Sequence, residues 1–276
     1  RLAQQAELDA QLQGRTNARP PEWASSHPDP VKRVGKANQI SADRPGTVRN
    51  RDAFLRAIDG MIYGDDPKQG IIRGNEFLHP ELRLSFKAPD GFYMLNSTRA
   101  VSINGKSGQS GQAQLTTAAY SGDLDSYIRQ QFRALGGKDS TLAPQEIKRT
   151  TVNGLRAAYG SARVPNGNSK VDLVVFAYEF SRSSAFHFVV ATPAGRAGTF
   201  NPMFQSMRRI SQNEASAIVP LRIRVATVQR GDTVSRLSQR MAFADNREAR
   251  FRVLNGLGSS YTLRAGQKVK LVVRWR

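Results

Sequence analysis

Residues 54–92 have the sequence FLRAIDGMIYGDDPKQGIIRGNEFLHPELRLSFKAPDGF, and a change of pattern inside this stretch decides how the chain is organised. Its first part carries apolar residues at helical spacing, at Phe54, Leu55, Ile58, Met61 and Ile62. That spacing predicts a helix whose apolar face packs on other parts of the protein. After Asp66-Pro67, Leu82, Leu84 and Phe86 alternate with polar residues in the two-residue period of a half-buried strand. The stretch is therefore a junction between a helical segment and a strand-rich domain.

The net charge is strongly positive, because 41 Lys and Arg stand against 22 Asp and Glu and give +19. Such a charge attracts polyanions, including nucleic acid, anionic lipid and the carboxylates of cell-wall peptides. An equally good explanation is that an Arg-rich composition follows from a GC-rich genome and keeps the protein soluble. Nucleic acid ranks last among these partners, since no helix concentrates the basic residues and no stacking aromatic residues lie between them.

Length and composition limit the remaining classes. A chain of 276 residues is long enough for two or three domains. The absence of cysteine excludes disulfides and thiolate metal sites. No apolar run approaches the roughly 20 residues needed to span a bilayer. Residue 1 is Arg with no signal-like stretch after it, so we expect a processed or truncated product.

The region from Glu76 to Ser211 is predicted to be rich in antiparallel strands. The predicted strands lie at 82–87, 92–95, 100–104, 112–120, 146–152, 155–164, 171–180 and 184–192. A helix is predicted at Leu124–Leu135 with Asp123 as its cap. A second is predicted at Phe200–Ile210 with Thr199 as its cap. The expected fold is an α+β sandwich.

Nothing in this region predicts catalysis. His79 and His187 stand alone, with no Cys, Asp or Glu at a metal-ligand spacing, so we expect both to be structural. The loop at 105–111 contains Gly-Lys-Ser but lacks the first glycine of a phosphate-binding loop, and no βαβ unit surrounds it. It is predicted to be a flexible hairpin loop.

A smaller domain is predicted after a polar linker at 212–220. A strand at 223–228 precedes Gly231-Asp232-Thr233, two helical segments follow, and a last strand comes after Gly266. Asp232 or Thr233 can cap the first helix, because a short oxygen-bearing side chain accepts hydrogen bonds from free amides. Gly256 ends the second helix. The predicted order is strand, helix, helix, strand.

This order closely resembles the LysM module, with GDT at the first helix, LNGL after the second and L-x-x-G-Q-x-V-x-L leading into the last strand. In LysM modules, glycans that contain N-acetylglucosamine lie between the loop after the first strand and the loop after the second helix. The resemblance implies that the glycan-binding residues are Gly231, Asp232, Thr233, Asn255, Gly256 and Leu257. The fold needs the same residues for caps and turns. Residues 212–276 also carry 13 Lys and Arg against 4 Asp and Glu, a net charge of +9, so an anionic wall polymer or a protein is an alternative partner.

The run from Trp23 to Phe92, with WASSHPDPVKRV, AIDGMIYGDDPKQGIIRG and FLHPELRLSFKAPDGF, carries a second resemblance. It resembles the region just downstream of the catalytic domain in BepA-type periplasmic zinc metallopeptidases. Those enzymes use an HExxH helix to bind zinc and activate water, and these 276 residues contain no such motif. The resemblance implies a periplasmic C-terminal part with no catalytic residue and no cofactor of its own, and zinc in a catalytic domain before it.

His27 is the candidate regulatory residue of that region. In the resembling peptidases this loop lies near the catalytic domain, which implies that the imidazole can reach the zinc and gate the site. The alternative, which we favour, is that His27 only hydrogen-bonds to nearby backbone.

The middle of the chain is similar in layout to the PsbP-like fold, with an opening FKAPDGF strand, a mid-domain helix and a closing helix that ends in MRRIS. We therefore predict an α+β protein in three parts. Residues 1–64 form a helical tail and linker, 65–211 a PsbP-like antiparallel-sheet sandwich with helices, and 212–276 a small βααβ LysM-like domain.

Two functional hypotheses follow. In the first, this is the non-catalytic part of a periplasmic zinc metallopeptidase and tethers it to peptidoglycan and envelope proteins, which raises its concentration near envelope substrates. In the second, it is a stand-alone envelope protein that binds a protein or a glycan without enzymatic activity.

Overall fold

The computed structural model describes residues 7, 8, 10–12, 14, 35–37, 39, 40, 50–137 and 141–275, and these residues form two compact units. The larger unit is Asp65–Ile218. The smaller unit combines the described residues up to Gly64 with those from Val219 onwards. The structure therefore differs from the three-part division, because the end of the N-terminal segment and the C-terminal domain belong to the same unit.

Antiparallel strands make up most of the larger unit. They are β1 (Ile71–Arg73), β2 (Glu76–His79), β3 (Leu84–Lys87), β4 (Phe92–Asn96), β5 (Val101–Gly105), β6 (Gln112–Thr117), β7 (Ile147–Val152), β8 (Leu155–Asn166), β9 (Ser169–Ser181), β10 (Ser184–Pro193) and β11 (Arg208–Arg209). Seven of them form one sheet in the order β4-β5-β6-β10-β9-β8-β7, and four form another in the order β1-β2-β3-β11. The predicted antiparallel architecture is confirmed.

The large sheet has an apolar core on each face. Phe176 and Phe188 point into one core, which the smaller sheet also lines with Phe86. Val175 and Ala177, the neighbours of Phe176 along β9, point into the other. Consecutive side chains of a strand face opposite sides of a sheet, so the uninterrupted apolar run at 173–178 of β9 has to be covered on both faces.

From residue 50 onwards the helices are α1 (Arg51–Ile58), α2 (Leu124–Gly136), α3 (Asn201–Ser206), α4 (Gln212–Ser216), α5 (Val234–Ser238) and α6 (Arg247–Asn255), with short 3-10 helices at Pro67–Gln69 and Ala197–Phe200. Helix α2 covers the second core of the large sheet. The Asp123 side chain accepts hydrogen bonds from the backbone amides of Asp125 and Ser126, so the predicted cap of α2 is confirmed. In the described part of the chain, no helix has the length and apolarity required to cross a membrane.

The predicted helix at Phe200–Ile210 is wrong at both ends. Ala197–Phe200 is a 3-10 helix, and Thr199 does not cap α3. Helix α3 begins at Asn201 and already ends at Ser206. The chain then extends, because Arg208 and Arg209 pair with β3. Met207 and Ile210 are nevertheless buried, which shows that burial alone does not specify a helix.

The predicted linker at 212–220 is also wrong in its first half, because it contains α4. Ser211 and Glu214 form a capping box, in which each side chain accepts a hydrogen bond from the other residue's backbone amide. Ala215 and Ile218 pack with Ile71 and Ile210 in the larger unit. This packing moves the boundary between the units from 211/212 to 218/219.

The smaller unit has the predicted strand, helix, helix, strand order. Its strands β12 (Leu221–Thr227) and β13 (Lys268–Arg274) pair antiparallel along their whole length. Helices α5 and α6 lie between them in the chain, and Leu237 and Phe251 of these helices pack against Leu271 of β13.

The segment 59–63 extends this small sheet beyond β12. Gly60 and Tyr63 donate backbone hydrogen bonds to Ile223 and Leu221 at 2.8 Å each, and Ile223 donates to Met61 at 2.9 Å. Only part of the apolar face predicted for 54–62 is covered. Leu55 is buried, whereas Phe54 is 59% and Met61 51% exposed, since the helix ends at Ile58 and the chain continues as an extended edge.

Candidate functional site

Two loops of the smaller unit meet at one end of its sheet. Val228 follows β12 and donates its N–H to the Gln267 carbonyl at 2.8 Å, and Gly266 donates to the Val228 carbonyl at 2.9 Å. The first loop (residues 229–233) therefore begins where the second loop (residues 256–267) ends. These loops contain five of the six residues predicted to bind glycan, and the sixth, Asn255, immediately precedes the second loop.

The first loop is fixed by two of the predicted residues. Asp232 accepts a hydrogen bond from Gln229 N at its Oδ2 atom, 2.8 Å away. Thr233 accepts from Arg236 N at 3.1 Å and is the cap of α5, which decides between the two capping candidates. Gly231 is exposed and has φ +85°, a conformation that favours glycine. Asp232 and Thr233 thus shape the loop, and Gly231 presents bare backbone to solvent.

Asn255 is held inside the unit. Its Oδ1 accepts from Lys270 N at 2.7 Å, and its Nδ2 donates to Lys270 O at 2.9 Å and to Phe251 O at 3.0 Å. Because these bonds use both ends of the side-chain amide, Asn255 connects α6 to β13. The structure gives it a structural role.

Gly256 and Leu257 turn the chain away from α6. Gly256 has φ +67° and ψ +42°, the left-handed conformation that commonly ends a helix. Leu257 donates its N–H to Arg252 O at 2.9 Å and packs against the apolar core of the unit. Arg252 also donates to the Gly258 carbonyl, which fixes the start of the second loop on the helix.

Tyr261 is an exposed aromatic residue of the second loop that the motif comparison missed. Its ring is 41% exposed, and its hydroxyl donates to Gln267 Oε1 at 3.4 Å. Gln267 Oε1 also accepts from Arg264 N at 3.2 Å. Gln267 also accepts, at its backbone carbonyl, the bond from Val228, the residue before the first loop. The signal in the sequence was an aromatic residue in a polar run between Gly256 and Gly266.

The rim of this site is cationic. Arg230 and Arg264 are exposed, one in each loop. Within the described ranges, neither forms an ion pair with a carboxylate. Exposed backbone amides, one aromatic ring and two cations suit a polar ligand with a flat apolar face, and carboxylates on that ligand are favoured.

The other residues considered in the sequence have structural surroundings. His79 Nδ1 accepts from Leu82 N at 3.2 Å, and burial lowers the pKa of its ring. His187 Nδ1 lies 2.8 Å from the Tyr127 hydroxyl, and burial lowers the His187 pKa to about 4. His27 lies outside the described residues, so its predicted regulatory role stays a prediction. Across the described ranges, no three His, Cys, Asp or Glu side chains are grouped so as to hold a metal ion.

The loop with Gly-Lys-Ser joins β5 to β6. It closes by a hydrogen bond from Gln109 N to Lys106 O at 2.9 Å. The prediction that it is a hairpin loop is confirmed.

Comparison with known proteins finds a LysM domain within the smaller unit. Residues 226–272 match the LysM domain family, and they contain both loops of the site. No curated protein matches the chain. Among solved structures, a crystal structure of a protein from Bacteroides thetaiotaomicron VPI-5482 is similar at 9% identity and a TM-score of 0.39, over 58% of this chain and 55% of that one. The chain thus spans about half the length of that neighbour, and a likeness this weak carries no argument about fold or function.

Proposed function

We propose that this protein is a cell-envelope protein that binds glycans containing N-acetylglucosamine, with peptidoglycan as the polymer. One observation carries the proposal. Residues 226–272 match the LysM domain, a family that binds peptidoglycan or other glycans, and the two loops that would hold the glycan meet where Val228 bonds to Gly266 and Gln267 and expose backbone at Gly231 and Gly256.

The six residues implied by the motif divide into two roles in this proposal. Asn255 and Leu257 maintain the fold, because their side chains are engaged within the unit. The glycan contacts come from exposed backbone at Gly231 and Gly256, from the backbone around Asp232 and Thr233, and from the Tyr261 ring. A sugar ring places its C–H face on an aromatic ring and its hydroxyl and acetamido groups on backbone donors and acceptors.

Charge contributes a second attraction to the same polymer. Arg230 and Arg264 border the site, and residues 212–276 carry a net charge of +9. Peptidoglycan stems and associated wall polymers carry carboxylates or phosphates, which such a rim attracts at long range. This part of the binding is weakened by salt, whereas contacts to the sugar rings are not.

The larger unit is proposed to be the platform for envelope protein partners, and the location to be periplasmic. The resemblance of residues 23–92 to BepA-type peptidases supports a narrower form of this proposal. In that form, a zinc-binding catalytic domain precedes this chain, and the chain tethers the peptidase without a catalytic residue or cofactor of its own. Reading the gene upstream of the Arg1 codon tests that form. An HExxH motif in frame would support the narrower form. Its absence would exclude that form and leave the proposal of a glycan-binding envelope protein.

Amide NMR of the full chain during titration with an N-acetylglucosamine tetramer tests the glycan site. Signals from 229–233 and 256–262 are expected to shift and saturate together. Tyr261→Ala should weaken binding by about tenfold, the equivalent of about 1.4 kcal/mol, and Phe54→Ala, which removes an exposed aromatic ring from α1, should leave it unchanged. Saturating tetramer with no shift in either loop would refute the proposal.

A further inference from the structure

A groove of about 900 Å³ opens on the larger unit beside β7, an edge strand of the large sheet. Strands β7, β8 and β9 form its floor, and α3 with the 3-10 turn before it forms its wall. The volume is within the range of roughly 300–1,000 Å³ that is usual for ligand sites. The LysM unit contributes none of its lining residues.

An aromatic stack orients one ring in this groove. Tyr159 is half-buried and lies parallel to Phe176, with centroids 5.1 Å apart and ring planes at 11°. Phe176 in turn stacks on Phe204, with centroids 4.7 Å apart. Tyr159 pairs across the sheet with Phe176 on one side and with Lys148 on the other. The face of Tyr159 that is turned away from Phe176 is therefore directed towards β7 and the groove, and the stack fixes its orientation.

Polar side chains surround this ring. Asn201 and Gln205 project from one side of α3, one turn apart, and Thr150 and Ser161 lie on the strands opposite. All four are exposed, and in the part of the chain that the structure describes none of their side chains has a hydrogen-bond partner. Amide and hydroxyl groups both donate and accept hydrogen bonds, so together they can satisfy a ligand that carries many hydroxyls.

The charges that border the groove are balanced. Lys148 pairs with Glu146 at 3.4 Å. Arg149 turns to the other face of the sheet, where it forms two hydrogen bonds with the Asp125 carboxylate at 3.0 and 3.1 Å. In a chain of net charge +19, this is a locally neutral surface. An anionic ligand would gain little here, and a neutral polar ligand would not have to displace an ion pair.

We propose that this groove is a second carbohydrate site, which binds a short neutral saccharide. One sugar ring lies on the exposed face of Tyr159, and its hydroxyls bond to the amides of Asn201 and Gln205. An aromatic floor with neutral hydrogen-bonding walls matches a pyranose, which has an apolar C–H face and a polar rim. The site is independent of the LysM loops and does not rest on the function proposed for them.

Fluorine NMR of the full chain labelled with fluorotyrosine tests both sites at once. The chain has seven tyrosines, and Tyr159→Phe and Tyr261→Phe assign the two signals of interest. Titration with tetramers of N-acetylglucosamine and of glucose should shift the Tyr159 signal saturably with at least one of them, and the two arms identify the sugar. If only the Tyr261 signal moves, the groove proposal is overturned and the LysM proposal stands. If only the Tyr159 signal moves, the groove proposal stands and the LysM proposal is overturned.

Matched variants separate the groove from other causes. Asn201→Ala combined with Gln205→Ala should weaken the affinity reported by Tyr159 by about tenfold or more, since two hydrogen bonds of about 1 kcal/mol each are lost. Gln130→Ala removes an exposed amide from α2, on the other face of the sheet, and should change nothing. A cell-wall stem peptide without sugar that shifts Tyr159, with both tetramers silent, would overturn the saccharide in favour of a peptide.

Discussion

The side-chain amide of Asn255 pairs with the backbone of Lys270 as a neighbouring strand would. Its Oδ1 accepts from Lys270 N at 2.7 Å and its Nδ2 donates to Lys270 O at 2.9 Å. Among the described strands, β13 pairs with β12 alone, so without Asn255 the Lys270 N–H and C=O groups would lose this particular partner. The end of α6 is thereby attached to the sheet, next to the second loop of the proposed glycan site.

Asn255→Ala is expected to destabilise the smaller unit by about 2 kcal/mol, because two half-buried backbone groups lose their hydrogen bonds. Hydrogen exchange read by mass spectrometry should show faster exchange in 268–274, with 171–180 of the larger unit unchanged. Ser260→Ala, an exposed change in the second loop, is the control. Unchanged protection of 268–274 would mean that Asn255 does not hold the strand.

Asp59→Ala is expected to loosen the segment that extends the small sheet. The Asp59 carboxylate accepts from Val225 N at 2.8 Å and pairs with Arg224 at 3.1 Å, and Arg224 also stacks on Trp275. Loss of these bonds should cost about 1 kcal/mol and speed hydrogen exchange in 59–63. Arg56→Ala, an exposed change in α1, should have no such effect. Equal exchange in the two variants would contradict a docking role for Asp59.

Acidification is expected to destabilise the larger unit through His187. Its pKa is lowered from 6.5 to about 4 because burial disfavours the charged ring. Below pH 6.5 the unfolded chain therefore binds more protons than the folded one. The free energy of unfolding consequently decreases as the pH is lowered, by at most about 1.4 kcal/mol per pH unit until pH 4. Urea midpoints at pH 7 and pH 5 measure the loss.

His187→Gln should remove most of that pH dependence and leave the smaller share of His79, whose pKa is lowered in the same direction. The glutamine can still bond to the Tyr127 hydroxyl, so the variant should fold at pH 7. An undiminished difference between the two midpoints in the variant would assign the acid sensitivity to other groups.

Thr233→Ala is expected to cost the smaller unit about 1 kcal/mol, since the free Arg236 amide at the start of α5 loses its acceptor. Thr233→Ser keeps the oxygen and should restore the stability. Thermal unfolding of both variants, followed by circular dichroism, provides the comparison. If both variants have the same melting temperature and it is lower than that of the parent protein, the lost methyl group and not the lost cap is responsible.

The sequence predicted those parts of the fold that local patterns specify. Asp123 before an apolar stripe predicted α2, and the strand predicted at 171–180 lies within β9. The second helix was predicted to reach Ile210 because Met207 and Ile210 continue the helical spacing past Ser206. There, the pairing of Arg208 with β3 prevails over the local preference for helix. Strand β1 was missed because three residues are too few to show a period.

The candidate site was predicted by motif, and its chemistry was only partly visible. The resemblance to the LysM module implied Asn255 as a site residue but could not show that its amide is bound to Lys270, because that contact joins residues distant in sequence. Tyr261 follows no motif, and its bond to the Gln267 side chain could not be read from the sequence. The Tyr159 groove depends on pairing among β7, β8 and β9 and on α3, which no single segment encodes.

Co-sedimentation of the full chain with purified insoluble peptidoglycan tests the central claim most directly. If sugar recognition by the LysM loops provides the binding, the protein should still pellet at 0.5 M salt, where the Debye length is only about 4 Å and charge attraction is screened. An excess of the N-acetylglucosamine tetramer should release it, and Tyr261→Ala should pellet less than Phe54→Ala. Pelleting that salt abolishes and the tetramer does not affect would contradict the claim and would leave charge as the source of wall binding.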